Sequence, residues 1–270
     1  MLRFKKLFSV TPRHLSGRNL CKEDGKLFPT IPVHNPSQLT STRFLDIYQM
    51  GNKAAIEKER ARLKDEMSRG YFADMSEMKQ NAGKIAMANK IIIPSVAAVK
   101  FPALEVNYSD GSTLKLPITS SDKNDVHASK SDIPKASLVC LSFRASSQPM
   151  VDSWSLPFLN TFANSSDARL YEVSFIDSWL LTRSPIKKLL LKIMRKSKPG
   201  EKQDILQRQI VYSFGDHYYF RKELKILNLL TGYIFLVDKL GRIRWQGFGL
   251  ATEDELLSLL SCTSLLLDEK

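Results

Sequence analysis

The segment 233–249, YIFLVDKLGRIRWQGFG, constrains the fold more than any other part of the chain. An apolar run ending at Asp238, a turn around Gly241 and a second run through Trp245 predict a β-hairpin. Thr252, Glu253, Asp254 and Glu255 then supply an acidic, hydroxyl-led start for a helix that carries Leu256, Leu257, Leu259 and Leu260. The glycines Gly241, Gly247 and Gly249 match neither a dinucleotide fingerprint nor a phosphate loop, and read as turn and bulge residues.

Upstream of this hairpin the pattern alternates as in an α/β domain. Residues 138–143 are apolar on both faces, as a strand near the centre of a sheet must be. Residues 154–162 read as helix, 170–176 as strand, and 184–196 as a helix with Ser184 as cap and Pro185 in its first turn. A strand over 209–214 and a short helix over 218–224 lead into the closing hairpin. This order predicts an α/β fold with a thioredoxin-like domain of peroxiredoxin-like topology over 133–270.

Such a fold performs thiol chemistry with a cysteine at a helix N-terminus, where the dipole and free N–H groups stabilise the thiolate. The corresponding segment, 143–154, is FRASSQPMVDSW and holds no cysteine. The position before the hairpin, where these domains place a cis-proline, reads Leu230, Thr231, Gly232. Three cysteines, Cys21, Cys140 and Cys262, form no CxxC; Cys140 falls in an apolar strand and Cys262 late in a helix, as buried thiols do. The expectation is a protein that is not an enzyme and carries no cofactor. The alternative is a redox enzyme using Cys140 or Cys262.

The N-terminus explains part of the charge. The formal charge of the 270-residue chain is +12, and residues 1–22 contribute six basic side chains and no acid, so +6 remains without them. Basic, hydroxylated and acid-free composition is that of a mitochondrial presequence, with Arg13 shortly before a candidate cleavage point; a basic tail is the alternative. Residues 23–42 read as a linker. Residues 43–132 read as an extension of the main domain. It holds a charged helix over 43–69 with a thin apolar stripe (Ile56, Leu63, Met67) and a hairpin around Asp110 and Gly111. The helix is expected to be a solvated arm, with docking along a partner as the alternative. The run 91–93 is expected to be a core strand, since nothing in the chain is long and apolar enough to span a bilayer.

Site chemistry is sparse. His14, His34, His127 and His217 stand apart from any second ligand at metal spacing, and His217 is expected to satisfy a loop hydrogen bond beside Asp216. Arg144 and Asp152 read as a polar pair near the carboxyl edge of the sheet, either a salt bridge or a ligand site. The helix from Ser184 is distinctive: Lys187, Lys188, Lys192, Arg195, Lys196 and Lys198 come without an acid, beside Leu189, Leu190, Ile193 and Met194. That pattern suits an anionic membrane surface. A solvated surface helix is the alternative, and nucleic acid is not expected because no aromatic residue interleaves the cations.

Four strings together carry a family resemblance: LVCLSFR (138–144), MVDSW (150–154), YEVSFIDSWLL (171–181) and TGYIFLVDKLGRIRWQGFGLAT (231–252). With the FP at 101–102 and the DG at 110–111, they resemble the mitochondrial ATP synthase assembly factors called ATPase complex subunit ten, from about Thr42 onward. The resemblance implies a chaperone on the matrix side of the inner membrane. Such a protein binds newly made subunit six, the proton-channel subunit, and promotes its association with the ring of subunit nine. Arg144, Asp152, Trp154, Trp179, Arg244 and Trp245 are the residue types expected to anchor that partner.

Overall fold

A strand can lose every solvent-facing position only at the centre of a sheet, and the run ASLVCLS does so: each of its residues is buried in strand β3 (Ala136–Ser142). The computed structural model describes residues 53–69, 72–80, 83–119, 133–177, 181, 183–196 and 208–269, all within the compact unit Thr40–Lys270. The expected presequence and linker, residues 43–52 and Trp179 lie outside the described residues.

Among the described residues the chain builds one seven-stranded sheet around β3. Strands β1 (Leu104–Asn107) and β2 (Thr113–Leu116) form a hairpin, with Leu104 opposite Leu116 and Val106 opposite Leu114. Strands β4 (Ala168–Ile176) and β5 (Arg208–Phe214) run parallel to β3, while β6 (Tyr233–Asp238) and β7 (Ile243–Phe248) return antiparallel. The order is β2-β1-β5-β4-β3-β6-β7. This is the thioredoxin-like sheet in its peroxiredoxin-like arrangement. The first hairpin extends that same sheet, because Asn107 pairs with Tyr212 of β5. A boundary at 132 therefore separates no two cores, and the sheet is the reason: the edge of β5 is completed by β1.

Each face of the sheet has its own core. On one, α3 (Gln148–Phe162) and α6 (Glu253–Asp268) pack over Leu138, Cys140, Leu170, Ile234 and Leu236. On the other, Phe101, Val139, Tyr171, Phe175, Phe220 of α5 (Tyr218–Glu223) and Phe235 meet, with Phe143 stacked on Phe175 at 4.3 Å. Gly241 turns the β6–β7 hairpin with φ +77°, a conformation that disfavours a side chain. The capping box of α6 forms, with the Thr252 hydroxyl and the Glu255 carboxylate each reaching the other's backbone.

Two expectations fail for identifiable reasons. Residues 91–93 form no strand, and Ile91 is exposed. The segment from Ala88 to Phe101 instead runs irregularly along the outer edge of β7. The Asn89 and Ile93 N–H groups donate to the Gln246 and Arg244 carbonyls, and the Phe101 N–H to that of Gly241. It covers an edge that would otherwise be open to another strand. The second failure is the solvated arm. Helix α1 (Lys53–Ser68) is docked on α5, and by its charged side. Arg62 is 3% exposed, its guanidinium paired with the Asp216 carboxylate and lying 5.1 Å from the Tyr218 ring.

Candidate functional site: a closed helix mouth and an exposed basic helix

The place where this fold carries thiol chemistry is filled by hydroxyls. Between β3 and α3 a 3₁₀ turn, Ala145–Ser147, leads into the helix. The Ser147 hydroxyl is fully buried, 2.8 Å from the Ser142 hydroxyl and donating to the Arg144 carbonyl at 2.8 Å. The helix mouth is thus tied down internally. Nearby, Gly232 approaches so closely that a Cβ would meet Val151 at 3.3 Å. Neither remaining thiol is suited to attack. Burial pushes the Cys140 thiol well up, and the neighbouring Glu172 carboxylate adds to this. Burial also raises Cys262, against a hydrogen bond from Ser258. A thiol raised in this way is rarely a thiolate at neutral pH.

The expected anchors mostly turn out to be structural. Trp154 and Trp245 are fully buried and meet edge to face at 5.5 Å. Trp154 donates to the Gly249 carbonyl and Trp245 to that of Asn89, so the indoles hold α3 and the covering segment against the β6–β7 hairpin. Arg244 is buried as well, bonding the Ile93 carbonyl at 2.7 Å and the Glu269 carboxylate at 2.7 Å. These three are corrected from surface anchors to core ties, because their polar atoms are consumed within the chain. Arg144 and Asp152 do not pair. Arg144 is exposed, whereas Asp152 accepts from Gln148 at 3.1 Å and lies 3.6 Å from Arg208. Arg208 chiefly forks onto the buried Glu172, at 3.0 and 3.1 Å.

His217 likewise finds other partners than the loop beside it. Its Nδ1 lies 2.9 Å from the Asp177 carboxylate and its Nε2 2.8 Å from the Ser213 hydroxyl. Serine, histidine and carboxylate in line resemble a hydrolytic relay. Ser213, however, is buried and also donates to the Glu105 carbonyl at 3.0 Å. The group therefore joins β1, β4, β5 and the start of α5, and offers no nucleophile to a substrate. Asp216 instead accepts from the Tyr218 N–H. The hollow lined by Lys100, Phe101, Ala103, Lys115, Leu116, Pro117 and Thr119 holds about 100 Å³, well below the roughly 300 Å³ at which small-molecule sites begin. Among the described residues no cluster of His, Cys, Asp or Glu could hold a metal.

What remains open to a partner is surface. Helix α4 (Ser184–Lys196) turns Leu191 inward and leaves Leu189 and Ile193, one turn apart, 58% and 53% exposed. Lys188 and Lys192 are exposed beside them, while the Lys187 ammonium sits 5.0 Å from the Phe214 ring. The predicted apolar face is thus redistributed: Leu190 and Met194 are half-buried, and the outward apolar pair is Leu189 with Ile193. The side chains of Arg195 and Lys196 lie outside the description. No helix among the described residues is long and apolar enough to cross a membrane. The sequence reading missed the ties of Arg62, Glu172 and Ser213, since no local pattern announces which distant residue completes a buried pair.

The model of the family described as ATP10 protein matches residues 19–266. No curated protein sequence matches the chain. Among solved structures, BsSco, a member of the Sco family of cytochrome c oxidase assembly proteins, is 13% identical with a TM-score of 0.39, over 66% of this chain and 99% of that one. The thioredoxin domain of a thiol-disulfide oxidoreductase from Bacteroides vulgatus is 15% identical with a TM-score of 0.36, over 61% and 95%. A thiol-disulfide oxidoreductase from Bacteroides fragilis is 16% identical with a TM-score of 0.37, over 60% and 98%. The family match spans nearly the whole chain, and the chain belongs to the ATP10 protein family, the assembly factors of ATP synthase.

Proposed function

We propose that this protein is a non-catalytic chaperone for the membrane sector of mitochondrial ATP synthase. It binds newly made subunit six and promotes its association with the subunit nine ring, as a peripheral protein on the matrix side of the inner membrane. The family match over 19–266 carries this reading. The buried thiols and the hydroxyl-filled helix mouth support a binding role over a redox one. Helix α4 supplies a means of staying at the bilayer: Leu189 and Ile193 enter the headgroup boundary while Lys188 and Lys192 meet lipid phosphates. Each lysine or arginine held near an anionic leaflet adds about 1 kcal/mol. Among the described residues, Arg144 is the predicted anchor classed as exposed, and a folded Arg144→Ala protein that still captures subunit six removes it from the contact.

The test is capture of tagged protein from mitochondria whose organellar translation products are radiolabelled. Selective recovery of new subunit six, declining through a chase, is the expected result. Recovery of no organellar product, or of all of them equally, overturns the proposal.

A further inference from the structure

After α2 (Ala73–Gln80) the chain carries no acidic residue until Glu105, while Lys84, Lys90 and Lys100 punctuate it. Within this stretch lies the irregular cover of the β7 edge, and the cover hides little of its own apolar surface. Ile91 is 75% exposed, Val96 99% and Val99 68%. The backbone hydrogen bonds explain why. The Ile93 N–H donates to the Arg244 carbonyl at 2.7 Å, and the Val99 carbonyl accepts from the Ile243 N–H at 2.8 Å. Ile243 and Arg244 are consecutive, so the chain leaves the edge after Ile93 and returns at Val99 one position along. Residues 94–98, PSVAA, therefore project as a closed loop with Val96 at its tip. Ile91 lies two residues before one foot and Val99 forms the other, which makes the three side chains parts of one ridge.

The loop is tied down on both sides. The Ala97 N–H donates to the Pro94 carbonyl at 3.0 Å across the turn. Arg242 donates to the Ser95 carbonyl at 3.1 Å and Arg244 to that of Ile93 at 2.7 Å. Its apolar tip is thus held in water by the fold, with the ordering cost already met. The free charges at its base are of one sign. Lys90 and Lys100 are exposed and meet no carboxylate among the described residues. The acids that reach this edge are consumed, Asp238 by Arg242 at 2.8 Å and Glu269 by Arg244 at 2.7 Å. A convex tip encloses no partner; it escapes water by sinking into a medium that closes round it. An anionic bilayer does so, taking apolar groups at the acyl boundary and ammonium groups at its phosphates. Backbone groups without internal partners keep such a loop shallow. We infer that the 94–98 loop, with Val96 at its tip and Lys90 and Lys100 at its base, inserts into the headgroup boundary of an anionic bilayer. This rests on the peripheral placement proposed above and supplies a contact besides α4; stable anchoring takes two weak signals acting together.

The test places a dye on the tip. In the full-length protein with Cys21→Ser, Val96→Cys is labelled with nitrobenzoxadiazole, whose emission rises and shifts blue in apolar surroundings. Val96 is exposed, so the labelled protein is expected to melt with the parent. The membranes are phosphatidylcholine vesicles with and without phosphatidylglycerol. The expected result is a blue shift on the anionic vesicles alone, quenched by nitroxides carried high on the lipid chains. Lys90→Glu with Lys100→Glu in the labelled chain is expected to weaken that response about tenfold or more. A label that stays in water while the protein sediments with the vesicles overturns the inference and leaves the α4 contact standing. A blue shift without lipid that grows with protein concentration assigns the tip to a second copy and overturns it as well. A parent that binds neither vesicle overturns the inference together with the peripheral placement, whereas capture of new subunit six decides the chaperone reading separately.

Discussion

Arg62→Met separates the two sides of α1 most cleanly. The substitution keeps most of the side chain's stem and removes the charge that faces Asp216, a carboxylate 7% exposed. Removing one partner of a buried ion pair costs about 3–5 kcal/mol, because the other charge stays buried without compensation. The protein can avoid that cost by releasing α1, which lets water reach Asp216. A released 16-residue helix is marginal alone in water, so release and melting coincide. Hydrogen exchange over 53–68 should therefore accelerate by about two to three and a half orders of magnitude, since each 1.4 kcal/mol is tenfold. Exchange in β3, β4 and β6 should hardly change. Leu63→Ser, on the outward side, should leave protection over 53–68 as it was. Protection retained in Arg62→Met and lost in Leu63→Ser would refute the ionic docking face.

Other consequences follow from single contacts. A Cβ at Gly247 would lie 2.7 Å from the Trp245 ring and 3.2 Å from that of Trp154; Gly247→Ala should destabilise by about 1–3 kcal/mol, as overpacking does, measured by denaturant unfolding. For Glu255, burial alone would raise the carboxyl. The Lys84 ammonium, the Ala88 and Thr252 N–H groups and the Thr252 hydroxyl outweigh it, and the net direction is down. A depressed carboxyl stabilises the fold above its unfolded value, near 4.5 for an ordinary glutamate, and that stability is lost as pH falls through the folded value. Glu255→Gln should remove this acid-limb dependence and cost about 1–2 kcal/mol at neutral pH. In a Cys21→Ser background, Cys140 and Cys262 should resist a thiol reagent at pH 7.5 until the protein is unfolded; prompt native labelling would revive the redox alternative. Lys188→Glu with Lys192→Glu should abolish sedimentation on anionic vesicles, measured at graded salt.

The strands were readable wherever burial imposed a local signature. Runs apolar on both faces marked β3 and β6, and the Thr252-led start marked α6. Side-chain destinations were not readable in the same way. Trp154, Arg244 and Trp245 have the chemistry of interface anchors, and what places them in the core is tertiary: carbonyls of Gly249, Ile93 and Asn89 brought from far along the chain. The charged helix misled for a related reason. Its pattern gives two faces and cannot say which docks, because the complementary groups, the charges of Asp216 and Arg221 and the Tyr218 hydroxyl, sit more than a hundred residues away. The three isoleucines at 91–93 carried strand propensity, yet the edge of β7 accepts them as an irregular cover.

The most direct measurement follows subunit six, pulse-labelled in mitochondria whose only copy of this protein is a tagged Cys140→Ala/Cys262→Ala variant. The account predicts that the folded variant captures new subunit six, that capture declines during the chase, and that assembled synthase accumulates as with the parent. Loss of capture or of assembly in a variant that remains folded would contradict a non-catalytic chaperone.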